Sequence, residues 1–167
     1  MQQKEEIAVI YDTYADMVYR IGIMMLKNTA EAEDTLQNVF VRLIRSGQEF
    51  HDSEHVKAWL IVTTKNICRD TLKSWWRQKR VDPEYLPEAA CEMDESSRDI
   101  WNMLVSLPEK LRLPIYLHYY EGYKTREIAL MLEVNHATVR TRLRAAKKKL
   151  RLEEELYNER SGSSESL

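Results

Sequence analysis

Residues 125–150 constrain the fold most strongly, because two short helical patterns are separated there by a break at residues 133–135. Val134 can fill the space under the corner, and Asn135 can cap the second helix by accepting from its first free N–H groups. The stretch therefore predicts a helix-turn-helix in which each helix has one buried side. The apolar residues at helical spacing are Ile128, Ala129 and Leu132 in the first helix and Val139, Leu143, Ala146 and Leu150 in the second.

The second predicted helix is strongly cationic, since residues 135–152 contain no acidic side chain. A charged run is often only a solvated helix face, but the preceding turn and the missing acidic partners favour binding to a phosphate backbone. In a helix-turn-helix the N-terminal part of the second helix enters the major groove. We predict base-edge or nearby phosphate contacts from His136, Ala137, Thr138, Arg140, Thr141 and Arg144, and backbone contacts from the later lysines Lys147 and Lys148.

Composition places few other constraints on the class of protein. The 167 residues allow one domain or two small ones, 44% hydrophobic residues suffice for packed cores, and only four glycines and four prolines favour helices. We expect a cytoplasmic protein, because no apolar run reaches the length of a membrane span and the N-terminus lacks a basic region followed by an apolar one. Cys68 and Cys91 have neither metal-ligand nor disulfide-framework spacing, so we expect no metal and no cofactor.

The N-terminal half predicts three helices around one small core. A long amphipathic helix runs from Glu5 to Leu26, and Asn28 or Thr29 caps a second helix that ends at Gly47. We expect Ser53 to cap a third helix, in which Trp59 faces the core and the basic residues of 65–80 face outward. In the adjacent pair Trp75 and Trp76, we expect at least one side chain to be exposed or at a domain interface.

Charge is segregated along the chain, and the segregation predicts the domain boundaries. Residues 65–80 contain six basic residues and one acid, whereas residues 81–98 contain six acids, one arginine and two prolines. The acidic segment is typical of a flexible linker. We therefore predict an all-α fold of two small helical domains, with an N-terminal domain at 1–80, a linker at 81–98, a helix-turn-helix domain at 99–156 and a disordered tail at 157–167.

Taken together, these parts resemble a bacterial RNA polymerase sigma factor of the extracytoplasmic-function (ECF) group, over residues 11–155. AEDTLQNVF matches the family pattern AED-x-x-Q-[DE]-x-F, and WLIVTTKNICRD matches W-L-x-x-I-A-x-N-x-x-x-D. The later stretch LPEKLRLPIYLHYYEGYKTREIALMLEVNHATVRTRLRAAKKKL resembles the family's minus-thirty-five-binding domain. The departures from the family's patterns include Asn38 in place of an acid, Thr64 in place of an alanine and Glu133 in place of a glycine.

The resemblance implies a role for each matching position. It implies RNA polymerase binding by Asp34, Gln37 and Asn38, and minus-ten recognition and strand opening by Asn66, Arg69, Lys73 and Arg77. It implies minus-thirty-five recognition by Arg140, Thr141, Arg142 and Arg144, although Arg142 is also near enough to the apolar stripe to be partly structural. The implied partners are core RNA polymerase, promoter DNA and a dedicated anti-sigma factor.

Two other classes of function are alternatives for this sequence. A stand-alone helix-turn-helix regulator, with an N-terminal domain that senses a ligand or dimerises, would not need a cationic third helix containing Asn66. An enzyme is poorly supported, because the histidines His51, His55, His118 and His136 form no metal or nucleophile spacing. We therefore expect a promoter-specificity subunit without catalytic chemistry of its own.

Overall fold

The computed structural model describes the backbone of residues 2–78 and 95–163 and the side chains of residues 3–78 and 101–151. The predicted all-α fold is confirmed, since every regular element within these ranges is helical. In chain order they are α1 (Gln2–Leu26), α2 (Thr29–Ser46), α3 (Ser53–Gln78), α4 (Glu95–Ser106), α5 (Glu109–Ile115), a π-helical turn (Tyr116–Tyr120), α6 (Thr125–Leu132) and α7 (His136–Ser163).

The chain divides into two compact units, Met1–Cys91 and Glu92–Leu167. The point of division lies inside the segment predicted as a linker, whose residues 81–94 are outside the described ranges.

The helical boundaries differ from the predicted ones at two places. Helix α4 begins at Glu95, inside the predicted linker, and α7 continues to Ser163, into the predicted disordered tail. Neither stretch contains a proline, and glycine first appears in α7 at Gly162, so little in the sequence interrupts a helix there.

In the N-terminal unit, α1 packs against both α2 and α3, and α2 packs against α3. The centre of the core contains Val18, Ile21, Val39 and Leu60, all without exposed surface. Helices α1 and α2 approach closely at Gly22, where a β-carbon would stand 3.3 Å from both Cα and Cβ of Ala32. The three-helix core is therefore built partly from a contact between backbones.

The ends of α2 follow from two residues at its boundaries. The Asn28 side chain accepts a hydrogen bond from the Glu31 N–H at 3.0 Å, and Gly47 ends the helix with a φ of 59°. The predicted cap of α3 was wrong. Asp52, not Ser53, accepts from the His55 N–H through Oδ1 at 2.8 Å, because Ser53 is already the first helical residue.

The prediction that all the basic residues of 65–80 face outward is wrong for Lys65. Its side chain is only 1% exposed, while the neighbouring Asn66 is exposed. Because successive helical residues are about 100° apart, Lys65 lies about 40° from Ile61 and about 60° from Cys68 around the axis, which places it on the buried side of α3. Burial also raises the pKa of Cys68 to about 12, with a hydrogen bond to Thr35 opposing the shift, so this thiol stays protonated.

In the C-terminal unit, α5 and α6 both pack against α7, around Leu117, Ile128 and Val139. Arg112 is buried at the junction of α4 and α5, where its Nε–H donates to the Leu107 carbonyl at 2.6 Å. Burial lowers the pKa of this guanidinium, and the charge of Glu109 opposes the shift. The guanidinium thus satisfies a carbonyl near the end of α4.

The described helices include none that combines the length and the apolar character needed to cross a membrane.

The turn between α6 and α7 contains a residue in the left-handed conformation. Glu133 has φ 55° and ψ 43°, and the Val134 N–H donates to the Ala129 carbonyl at 3.1 Å, which closes the end of α6. A side chain with a β-carbon is strained by roughly 1–2 kcal/mol in this conformation, whereas glycine is not. The turn therefore keeps the shape expected for glycine although glutamate occupies it.

We expect Glu133→Gly to raise the free energy of opening of this unit by about 0.5–1 kcal/mol, because relief of strain exceeds the entropy that glycine loses on folding. Amide hydrogen exchange at Val139 and Leu143 in α7 measures this change. Glu133→Ala is the control, since it removes the charge but keeps the β-carbon. An equal gain in the alanine variant would contradict the role of backbone strain.

Candidate nucleic-acid interface

Helix α7 presents an exposed cationic face, which we define as Arg140, Arg144, Lys147 and Lys148. The opposite side of the helix is fixed by burial of Val139, Leu143 and Ala146, as the helical spacing predicted. Arg142 is half-buried, in agreement with its predicted position at the edge of the apolar stripe. The α7 cationic face can therefore meet an anionic surface without moving any core residue.

The start of α7 is tied to the start of α6 by a side-chain hydrogen bond. His136 Nε2 lies 2.6 Å from Thr125 Oγ1, so one of the two ring nitrogens is engaged within the protein. The Thr141 hydroxyl donates to the Ala137 carbonyl at 2.9 Å, and Thr138 is half-buried. Of the predicted base-contacting residues, Arg140 and Arg144 are thus the more freely available, while His136 and Thr141 already have partners.

Lys147 has a partner that the sequence did not predict. Its Nζ lies over the Tyr119 ring, 5.2 Å from the ring centroid, which is within the range of a cation–π interaction. Tyr119 and Tyr120 are both exposed and line a groove of about 600 Å³ together with Leu104, Lys147 and Leu150. The sequence offered no signal for this groove, because it depends on the π-helical turn that follows Pro114 in α5.

Helix α3 brings together the four residues for which the family resemblance implied minus-ten recognition. Asn66, Lys73 and Arg77 are exposed and Arg69 is half-buried. With Asn66 as the reference, Arg69, Lys73 and Arg77 lie within about 60° of it around the helix axis. We call these four residues the α3 face. The acidic Asp70 lies beside it and lines a shallow groove with Lys73 and Arg77.

Helix α2 exposes all three of the residues predicted to bind polymerase, Asp34, Gln37 and Asn38, which we call the α2 face. Val41 and Ile44 extend it toward the end of the helix and are 40% and 55% exposed. Neither residue was predicted as a site residue. They could have been predicted from the sequence, because large apolar residues outside the buried stripe of an amphipathic helix are typical of a protein interface.

No group of three His, Cys, Asp or Glu side chains in the described ranges is arranged to hold a metal ion. The His51 and His55 rings are stacked, with centroids 5.4 Å apart and planes inclined by 21°, and the His51 N–H donates to His55 Nδ1 at 3.3 Å. This arrangement joins the two histidines to each other and to the start of α3.

Comparison with known proteins assigns both units to one family. Sigma-70 region 2 matches residues 10–78, and sigma-70 region 4 matches residues 87–150. The first match contains the α2 and α3 faces, and the second contains the helix-turn-helix and the α7 cationic face. Together the two matches cover most of the chain.

Relatives and one solved structure agree with this assignment. The ECF RNA polymerase sigma factors SigX and SigW of Bacillus subtilis are 27% and 28% identical to this chain; the alignments cover 93% and 89% of this chain and 87% and 88% of the relatives. SigE of Mycolicibacterium smegmatis is 30% identical over 83% of this chain and 57% of its own length. The fold is shared with the sigma factor RpoE of Bartonella quintana, solved in complex with the anti-sigma factor NepR, at a TM-score of 0.68 and 18% identity, covering 89% of this chain and 94% of that one. The chain therefore belongs to the ECF group of the sigma-70 family of RNA polymerase sigma factors.

Proposed function

We propose that this sigma factor binds core RNA polymerase through the α2 face, engages the minus-ten element through the α3 face and contacts the minus-thirty-five duplex through the α7 cationic face. The observation that carries the proposal is the exposed cationic side of α7, which has no acidic residue between positions 135 and 152 and whose opposite side is buried. Such a helix, second in a helix-turn-helix, has the charge and position to enter the major groove.

Arg140 and Arg144 are the residues best suited to contact base edges. They lie one turn apart near the N-terminal half of α7, both exposed, and an arginine can bind O6 and N7 of guanine with two hydrogen bonds. Lys148 lies a turn further along and suits a phosphate contact, where only charge is needed. Lys147 contributes a positive charge while its Nζ also contacts Tyr119.

The α3 face combines three cations with an amide. The cations can follow the phosphates of a single strand, and the Asn66 side chain can both donate to and accept from a base edge that is no longer paired. Burial of Lys65 supports this division of roles, since it leaves Asn66 as the exposed polar group at this point of the helix.

The α2 face suits a protein partner better than DNA. Asp34 is acidic, Gln37 and Asn38 are neutral, and exposed Val41 and Ile44 add apolar surface. An acidic residue beside apolar surface would repel phosphate but can meet a basic protein surface. The charge and exposed apolar surface of the α2 face support core RNA polymerase as the partner.

The other proposed properties follow from this role. An anti-sigma factor is a further proposed partner, supported by the resemblance to the family and by the complex in which the Bartonella quintana relative was solved. We place the chain in the cytoplasm, with the polymerase and the DNA, and assign it no catalytic chemistry of its own. The regulator alternative is less well supported, because region 2 matches the N-terminal domain over residues 10–78.

Run-off transcription tests the function directly. We expect core polymerase to produce specific transcripts from a subset of genomic promoter fragments when this chain is added, and none from those fragments without it. Sequence-specific DNA binding by the chain with no polymerase-dependent transcript would instead favour the stand-alone regulator.

We expect the double substitution Asp34→Ala with Gln37→Ala to weaken binding to core polymerase by about tenfold or more, because two central contacts of the α2 face are lost. Binding is measured by titration with labelled chain, and circular dichroism reports the helix content. Gln48→Ala with Glu49→Ala is the matched control, since it removes a glutamine and an acid that are also exposed but lie outside α2. Equal loss in both double variants would refute the assignment.

Arg140→Ala and Lys148→Ala should weaken DNA binding in different ways. Loss of a base-contacting arginine should cost about 1–3 kcal/mol and relax specificity at one promoter position, whereas loss of a phosphate-binding lysine should weaken all sequences alike and reduce the salt slope by about one. The measurement is binding of the unit Glu92–Leu167 to matched and mismatched minus-thirty-five duplexes across a salt series. The same uniform loss in both variants would mean that the face provides only electrostatic attraction.

A further inference from the structure

We propose that Trp76 stacks on an unpaired base of the opened promoter strand and is a DNA-contacting residue of α3. The proposal deepens the proposed function, because it requires the α3 face to engage the minus-ten element. It rests on the placement of an exposed aromatic side chain directly beside the α3 face.

Trp76 is exposed to an extent that packing does not explain. Its side chain is 76% exposed, whereas Trp75 is half-buried and Trp101 of the other unit is buried. Tryptophan has a large apolar surface that usually contributes to a core or an interface. The exposed indole is therefore available to a partner and contributes little to the stability of the unit.

The position of Trp76 around the helix is shared with the α3 face. At about 100° per residue, Trp76 lies about 80° from Asn66 and only about 20° from Arg69, which precedes it by two turns. Along the axis it lies about 15 Å from Asn66 at 1.5 Å per residue. The acidic Asp70 is on the other flank of the face, about 120° away from Trp76. The indole is thus placed beside the cations and away from the acid.

This combination is suited to single-stranded DNA. A row of cations can follow the phosphates while an aromatic ring stacks on a base, and each such stack contributes measurably to affinity. In a duplex the faces of a base are covered by its neighbours, so Trp76 can stack only after the strand has opened. The geometry therefore predicts that Trp76 acts on melted DNA and not on paired DNA.

A protein contact would use the same exposed indole differently. Packing against polymerase requires only an apolar side chain, so leucine could replace much of it, whereas stacking requires a flat aromatic ring. A comparison of aromatic and aliphatic substitutions at Trp76 therefore distinguishes a DNA contact from a polymerase contact.

The experiment uses holoenzyme assembled from core polymerase and the full chain, on a promoter fragment from which this holoenzyme transcribes. Two probes are compared, one fully paired and one whose minus-ten region has a single-stranded non-template strand. The variants are Trp76→Ala, Trp76→Phe and Trp76→Leu. Val9→Ala is the control, because Val9 is also a largely exposed apolar residue of the same unit but lies on α1.

We expect Trp76→Ala to weaken binding to the single-stranded probe by about 5-fold to 100-fold, with Trp76→Leu similar and Trp76→Phe within about threefold of wild type. Binding to core polymerase and the salt slope should not change, since no charge is removed. Equal binding of the single-stranded probe by Trp76→Ala and wild type would overturn the proposal. Recovery in Trp76→Leu, or loss of core binding in Trp76→Ala, would also overturn it by indicating a protein contact.

The same measurements separate this proposal from the function on which it rests. If wild-type holoenzyme bound neither probe above the level of core polymerase alone, the proposed promoter function would fail, and the stacking proposal would fail with it. If wild type bound the single-stranded probe and Trp76→Ala equalled it, only the stacking proposal would fail.

Discussion

Burial of the apolar stripe of α7 is the constraint on which the proposed DNA contacts depend. Val139 and Ala146 have no exposed surface and Leu143 very little, so the rotation of the helix about its axis is fixed. Burying a valine or leucine side chain contributes about 1.5–3 kcal/mol, whereas an exposed ion pair contributes at most about 1 kcal/mol. Packing therefore decides which way the arginines point, and the charges follow. The α7 cationic face is exposed because the apolar side of the helix is stable only when it is buried.

Core packing fixes the rotation of α3 in the same way, and it places two adjacent residues in different environments. Lys65 is buried and Asn66 is exposed, because one residue of advance turns the helix by about 100°. The core contacts of Leu60, Ile61 and Cys68 fix that rotation. A lysine is thus carried into the interior by its position, and Asn66 faces the solvent. The proposed strand-opening surface is defined by where the core lies as much as by which polar residues are present.

Sequence periodicity predicted the features that depend on neighbours along the chain. The helix-turn-helix, the Asn28 cap, the end of α2 at Gly47 and the exposure of the α2 face are all local, and each is confirmed. Features that depend on distant partners were missed. Burial of Lys65 requires the exact phase of α3, the Lys147–Tyr119 contact requires the π-helical turn, and the His136–Thr125 bond joins two helices. The roles of the site residues stay predictions, because exposure shows which residues are available and not what they bind.

Because α1 and α2 approach closely at Gly22, positions in the N-terminal unit should differ in how well they tolerate substitution. A β-carbon at Gly22 would stand only 3.3 Å from Ala32, so a larger residue there requires α1 and α2 to shift by a few tenths of an ångström. Side chains on α3 have more ways to adjust, because they meet α1 and α2 through rotatable groups. Over evolutionary time, changes in core volume should therefore accumulate on the α3 side, while the seam between the first two helices keeps small residues.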